Sequence, residues 1–211
     1  EICSLGSHTA EDLRAIDSMA ADIAYPTTDY FGELLGFFGS NPSGHPLTII
    51  VNSLVNSVYI RYAYLVNNPF RTLATFNEDI HLLTNGDDNI MNVSPRAYWF
   101  SHTSISKVLK EVGVIYTLPD KSDRVEDYMT IQAATYLSRS PVFHADIGEV
   151  VAALSLDSIS KSLTRCVPGA DYDRVIHMVT VMNSALREYA LHGRFCFEEK
   201  RKLFEVAARE H

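Results

Sequence analysis

Apolar residues along this chain recur in two rhythms. Leu13, Ile16, Ala20 and Ile23 share one helical face. Thr9 can cap that helix, Glu11 and Asp12 suit the positive end of its dipole, and Pro26 ends it. Tyr30 to Leu34 reads as a small turn between extended pieces, and Phe37 to Gly44 as a loop rich in helix breakers. From Pro46 to about Val66 there is neither glycine nor proline. Ile49, Ile50, Val51, Val55 and Val58 would suit a strand, but the length of the segment predicts a helix, with Pro46 near its first turn. Two short apolar runs follow, Ile80–Thr84 and Ile90–Val93, around Asn85-Gly86-Asp87-Asp88-Asn89, which predicts a hairpin.

The helical rhythm returns at Ile105, Val108, Leu109 and Val112, with Gly113 placed to terminate the helix. Val114–Thr117 and Ala133–Leu137 read as short strands, with a loop at Pro119–Asp123 that carries one lysine, Lys121. The last third reads as helical. One helix carries Leu156, Ile159 and Leu163, and Val167-Pro168-Gly169 breaks it. A longer one carries Val175, Val179, Met182, Leu186 and Tyr189 up to Gly193. A final helix runs from about Glu198, with Leu203, Phe204 and Ala207 on its apolar side. The expected class is α+β: mixed elements over 1–145, then helices over 146–211.

Two polar features interrupt this pattern. Thr48, Asn52 and Asn56 are spaced by four along the long helix, with Ser53 and Ser57 beside them. Such a stripe is either satisfied by neighbouring backbone or faces a working site. The hairpin carries two adjacent carboxylates, Asp87 and Asp88. Asp and Asn are common in turns for backbone reasons, so a solvated turn and a site for a hard divalent cation are both open on this stretch alone. It is not an EF-hand, because the alternate-residue spacing and the twelfth-position acid are absent.

Composition narrows the class. The chain has 211 residues, 46% apolar, with mean hydropathy near zero, as expected of a globular protein with a core. No run of about 18 apolar residues occurs, so no membrane span is expected. There is no signal-peptide pattern, and the absence of an initiator Met suggests a piece of something longer. Cys3, Cys166 and Cys196 are odd in number and widely spaced, which argues against a disulfide framework or a zinc site and for a reducing compartment. The net charge of −8 is uneven. Residues 1–60 hold seven acids and one base, Arg14, whereas the remainder holds 19 acids and 17 bases and could carry a basic face.

The order of these features resembles the palm of viral RNA-dependent RNA polymerases. Asn41-Pro42-Ser43-Gly44-His45-Pro46-Leu47-Thr48 with Asn52-Ser53 resembles motif B of picorna-like positive-strand RNA viruses. Gly86-Asp87-Asp88 resembles motif C, Gly113 through Asp120-Lys121 motif D, and Tyr136-Leu137-Ser138-Arg139 motif E. The wording of Phe38 to Pro46 is similar to the marine, marnavirus-like branch, and the C-terminal helices resemble the start of the family's thumb.

The resemblance implies a partial right-hand palm, an antiparallel sheet with helices, over 1–145 and a partial helical thumb over 146–211. It implies template-directed nucleotidyl transfer from ribonucleoside triphosphates to an RNA 3′ end with two divalent cations, Mg²⁺ or Mn²⁺. Asp87 is then a main metal ligand and Asp88 a secondary one. Ser43 and Asn52, supported by Thr48, test the ribose 2′-hydroxyl, and Gly44 lets the loop flex. Lys121 protonates the pyrophosphate leaving group, and Arg139 contacts the RNA backbone. The implied partners are template and nascent RNA, the nucleotides, and the rest of the polymerase chain, in a replication complex in the host cytoplasm.

Two departures from the family pattern stand out: Ser138 where motif E usually has Lys, and Asn85 where an aromatic is common. Motif A, with a further metal-binding aspartate, is expected upstream of Glu1. Asp12, Asp17, Asp22 and Asp29 do not form it and read as surface or turn acids. Two other classes stand beside the polymerase. In a reverse transcriptase the sugar site would block the 2′ position rather than offer Asn52; in an acidic helical interaction module the hairpin is only a turn, and convergence of Ser43, Asn52, Asp87 and Asp88 beside its tip separates that reading from a polymerase.

Overall fold

The computed structural model describes residues 6–39, 41, 43–164 and 173–210. The element order is α1 (Ala10–Ala24), β1 (Thr27–Tyr30), β2 (Glu33–Gly36), α2 (Thr48–Asn67), α3 (Leu73–Asp79), β3 (Ile80–Asn85), β4 (Asp88–Val93), α4 (His102–Glu111), β5 (Arg139–His144), β6 (Glu149–Leu154), α5 (Leu156–Thr164), α6 (Arg174–Ala190) and α7 (Arg194–Glu210). The fold is α+β, as expected. Its strands form three separate two-stranded sheets, β1–β2, β3–β4 and β5–β6. The chain divides into two compact units, Glu1–Val58 with Leu83–Asn89, and Tyr59–Leu82 with Ile90–His211.

In the first unit, α1 starts where its capping chemistry dictates. Thr9 Oγ1 accepts from the Asp12 amide at 3.1 Å, and the Asp12 carboxylate accepts from the Thr9 amide at 2.8 Å. None of its residues is buried; of its apolar stripe, Leu13 and Ala20 are exposed and Ile16 and Ile23 half-buried. β1 and β2 pair antiparallel, from Thr27 opposite Gly36 to Tyr30 opposite Glu33, around a Phe31-Gly32 turn in which both residues have positive φ. The Gly39 amide bonds the Ala24 carbonyl at 2.8 Å, returning the chain to the end of α1.

The second unit holds the core. Ile60, Ala63 and Tyr64 of α2 are buried against Phe76, Ile80, Phe100, Ile105 and Leu109. Length and apolarity alone would let α2 cross a membrane. Its role in this fold is that of a packing helix, with those three residues fully buried. α4 ends in a Schellman motif: Gly113, at φ +79°, donates to the Lys110 carbonyl, and the Val114 amide to that of Leu109. A smaller cluster joins Ile159 of α5 to Ala185 and Tyr189 of α6, with Phe204 of α7 packed on it.

Pro46 stands two residues before Thr48, the first residue of α2, near the first turn as expected. Several elements differ from the expectation. Val114–Thr117 is not a strand, because no ladder pairs with it among the described residues; the Tyr116 carbonyl accepts from the Ser106 hydroxyl instead. Ala133–Leu137 is irregular, with Ala133 and Leu137 in turns and Tyr136 in an isolated bridge to Arg139. The strand begins later, at Arg139, after Tyr136 and Arg139 exchange main-chain bonds around Leu137-Ser138. β6 occupies ground expected to be helical, and the 145/146 division falls in the β5–β6 turn. α7 begins at Arg194, four residues early. α3 was not expected. The break at Val167-Pro168-Gly169, and Cys3 and Cys166, lie outside the described residues.

Candidate active site

The acid pair sits on the β3–β4 hairpin. Gly86 and Asp87 form its two-residue connection, and Asp88 opens β4. Gly86 takes φ +63°, at the position where a II′-type turn places glycine. The space around a would-be Cβ is open, so backbone conformation rather than crowding calls for glycine here. Gly86 is buried, whereas both aspartates are exposed.

The polar stripe of α2 grips this turn. Asn56, only 9% exposed, directs its Nδ2 at the carbonyls of Gly86 (3.3 Å), Asp87 (2.9 Å) and Asp88 (3.2 Å). Its Oδ1 accepts from Asn89 Nδ2 at 3.0 Å. Ser53 Oγ accepts from the Gly86 amide at 2.8 Å and donates to the Ile49 carbonyl at 2.6 Å. Asn52 lies one helical turn before Asn56, about 6 Å along the axis. Its Oδ1 accepts from Asn41 Nδ2 at 2.9 Å, and Asn41 Oδ1 accepts from Thr48 Oγ1 at 3.4 Å. Ser43 and Gly44 form an exposed turn leading towards α2, with Gly44 at φ +88°.

Lys121 and Arg139 belong to the second unit. Lys121 is exposed in a turn, at φ +53°, its amide bonded to the Leu118 carbonyl. Arg139 is clamped: its Nη1 and Nη2 meet both Glu188 carboxylate oxygens at 2.9 and 2.7 Å, and Nη1 also donates to the Ala152 carbonyl at 2.9 Å. Its bonds to Glu188 raise the guanidinium above its usual pKa, so it stays charged.

The donor set fits one kind of ion. Among the described residues no group of three or more His, Cys, Asp or Glu could hold a metal. Mg²⁺ commonly binds through one or two carboxylates plus substrate phosphates rather than in an all-protein cage. Two exposed, adjacent carboxylates on a main chain fixed by α2 suit that mode, as part of a site.

Two features escaped the sequence reading. Asn41 joins Thr48 and Asn52 but stands outside the helical stripe, so spacing could not nominate it. Asp79, with a side chain 1% exposed, accepts from Tyr64 Oη at 2.7 Å and is paired with Arg71 and Arg96 at 3.5 and 3.7 Å. Those partners lie 8 to 17 positions away along the chain, a pattern without periodicity. The Thr72-x-x-Thr75 box ahead of α3 was the available signal for that helix.

A family model described as viral RNA-dependent RNA polymerase matches residues 3–164. The replicase polyprotein of Cricket paralysis virus is 29% identical over 175 residues, 80% of this chain and 10% of the relative. The replicase polyprotein of Drosophila C virus is 29% identical over 168 residues, 77% of this chain and 9% of the relative. The RNA1 polyprotein of Beet ringspot virus is 35% identical over 171 residues, 72% of this chain and 7% of the relative. The chain thus spans about a tenth or less of the length of these relatives. The expectation drawn from the four sequence motifs is met: the chain belongs to the viral RNA-dependent RNA polymerases of picorna-like positive-strand RNA viruses.

Proposed function

We propose that this chain is part of an RNA-directed RNA polymerase that copies a viral genome, with 1–145 in the palm and 146–211 in the thumb. The observation that supports it most is the bonding of the acid-bearing turn to the polar stripe of α2. An interaction module has no need to hold two exposed aspartates on a turn whose carbonyls are bonded from a neighbouring helix. The reaction joins the 3′-oxygen of the nascent RNA to the α-phosphorus of a ribonucleoside triphosphate. The 3′-hydroxyl loses its proton and the bond to pyrophosphate breaks.

Asp87, assisted by Asp88, would hold Mg²⁺ or Mn²⁺, which when bound supplies activation of the 3′-hydroxyl and neutralises charge on the phosphates. Ser43, Thr48 and Asn52 recognise the ribose, and Gly44 gives the loop its freedom. Asn41 holds the Asn52 carbonyl oxygen, so the Asn52 N–H donors are turned to the sugar hydroxyl. A site that hydrogen-bonds the 2′-hydroxyl rejects its absence, because its own polar groups are left unpaired. Lys121 gives a proton to the departing pyrophosphate. Arg139 commits three of its five N–H donors to Glu188 and Ala152; the other two suit a phosphate oxygen of the RNA backbone. Template and nascent RNA, the nucleotides and the other polymerase segments are the partners, in a cytoplasmic replication complex.

The test is Asp87→Ala in the full polymerase. Elongation should vanish in both Mg²⁺ and Mn²⁺, and near-normal elongation would sink the assignment of the metal site.

A further inference from the structure

We infer that Asn56 is a positioning residue that fixes the carboxylates of Asp87 and Asp88 through the main chain of their turn. The inference rests on the polymerase reading and adds a residue that contacts neither substrate nor ion. One amide group faces three consecutive carbonyls, those of Gly86, Asp87 and Asp88. Its orientation is not arbitrary. Oδ1 accepts from Asn89 Nδ2, and with the ring of carbonyls opposite only the NH₂ end can face the turn. Ser53 takes a main-chain donor at the apex, the Gly86 amide. A change of conformation at residues 86–88 therefore breaks hydrogen bonds that Asn56 and Ser53 make to this turn, one of them buried.

The consequence is specific. Exposed aspartates on a free hairpin tip would sample many directions, and a cation held by only two carboxylates would be poorly fixed. Anchoring the main chain from α2 fixes the Cα–Cβ directions from which the two side chains reach an ion. The anchor is on α2, one turn from Asn52. The part that reads the sugar and the part that holds the ion thus share one helix, and neither moves without the other. A polar side chain at position 56 is otherwise unfavourable there, since asparagine is a poor helix former.

The experiment uses the full polymerase chain with Asn56→Ala, Asn89→Ala and Asp87→Asn. Two readouts are taken: primer extension as a function of Mg²⁺ concentration, and Mn²⁺ binding by electron paramagnetic resonance, which needs no turnover. Asn56→Ala should lower kcat by about 100-fold, as expected for misplaced reacting groups. It should raise the Mg²⁺ concentration for half-maximal activity, weaken Mn²⁺ binding, and leave the KM for nucleotide nearly unchanged. Asn89→Ala, which removes the bond that orients the amide, should shift the same quantities in the same direction by less. If Asn56→Ala does not fold, Asn89→Ala decides alone. Mn²⁺ binding equal to the parent in the folded variants overturns the inference, even if kcat falls, because the role is then structural only. Near-normal elongation in Asp87→Asn overturns the assignment of the metal site on which the inference rests. Loss of elongation there, with Asn56→Ala unchanged, overturns only the role of Asn56.

Discussion

At the scale of single residues, Asn41 takes the Asn52 carbonyl oxygen, which in the proposed function turns the Asn52 N–H donors to the sugar. The terminal torsion of an asparagine is broad, so an unpartnered Asn52 would present oxygen and nitrogen in turn. Donation from Asn41 Nδ2 to Asn52 Oδ1 at 2.9 Å removes that freedom, and Thr48 steadies Asn41 from its other end. Asn41→Ala should therefore lower the preference for ribo- over deoxyribonucleotides by roughly tenfold, the equivalent of about one net hydrogen bond. The ratio of kcat/KM for the two nucleotides in the full polymerase measures it, and an unchanged ratio would show that Asn52 is oriented by something else. The candidate residues on the α2 stripe were legible because a period of four is a local property. Asn41 was not, because its place depends on how the loop before α2 folds back over it.

Elements were legible where local chemistry decides them. Thr9 and Gly113 announced a helix start and a helix stop, and the structure realises a capping box and a Schellman motif there. The length of α2 outweighed its β-branched content. β5 and β6 were missed because their faces do not alternate cleanly: Val150 and Phe143 are exposed, and Ala153 is buried. The useful signal was the turn at Gly148, φ +75°, which returns the chain. This hairpin is held to α6 by side chains from several positions. Arg139 pairs with Glu188, His144 Nε2 meets the Ala190 carbonyl at 2.8 Å, and His192 Nε2 meets that of Leu154 at 2.7 Å. Glu188→Ala breaks a bidentate pair about a third exposed, so it should cost about 1 kcal/mol. Urea denaturation with amide exchange on α6 checks this, and equal protection in parent and variant would show that the two histidines alone hold the hairpin.

At the scale of the whole molecule, charge and burial point the same way. The acidic excess lies in residues 1–60, where α1 buries none of its residues and Leu34, Ile49 and Val58 of the same unit stay exposed. The two carboxylates of the turn have no third acid beside them among the described residues, and the relatives are polyproteins about ten times as long as the stretch they share. A cation held by two carboxylates and a nucleotide tail lacks the ligand set that brings two ions into line with the attacking and leaving oxygens. The 211-residue chain on its own should therefore bind Mn²⁺ weakly and incorporate no nucleotide on a primed template, in Mg²⁺ or in Mn²⁺. Incorporation should appear when the chain is joined to the polymerase segment that carries a further metal-binding aspartate, and disappear again when Asp87 is replaced by Ala in that longer protein. Template-dependent incorporation by the 211 residues alone would mean that Asp87 and Asp88 suffice, and that the shared site proposed for this family member is wrong.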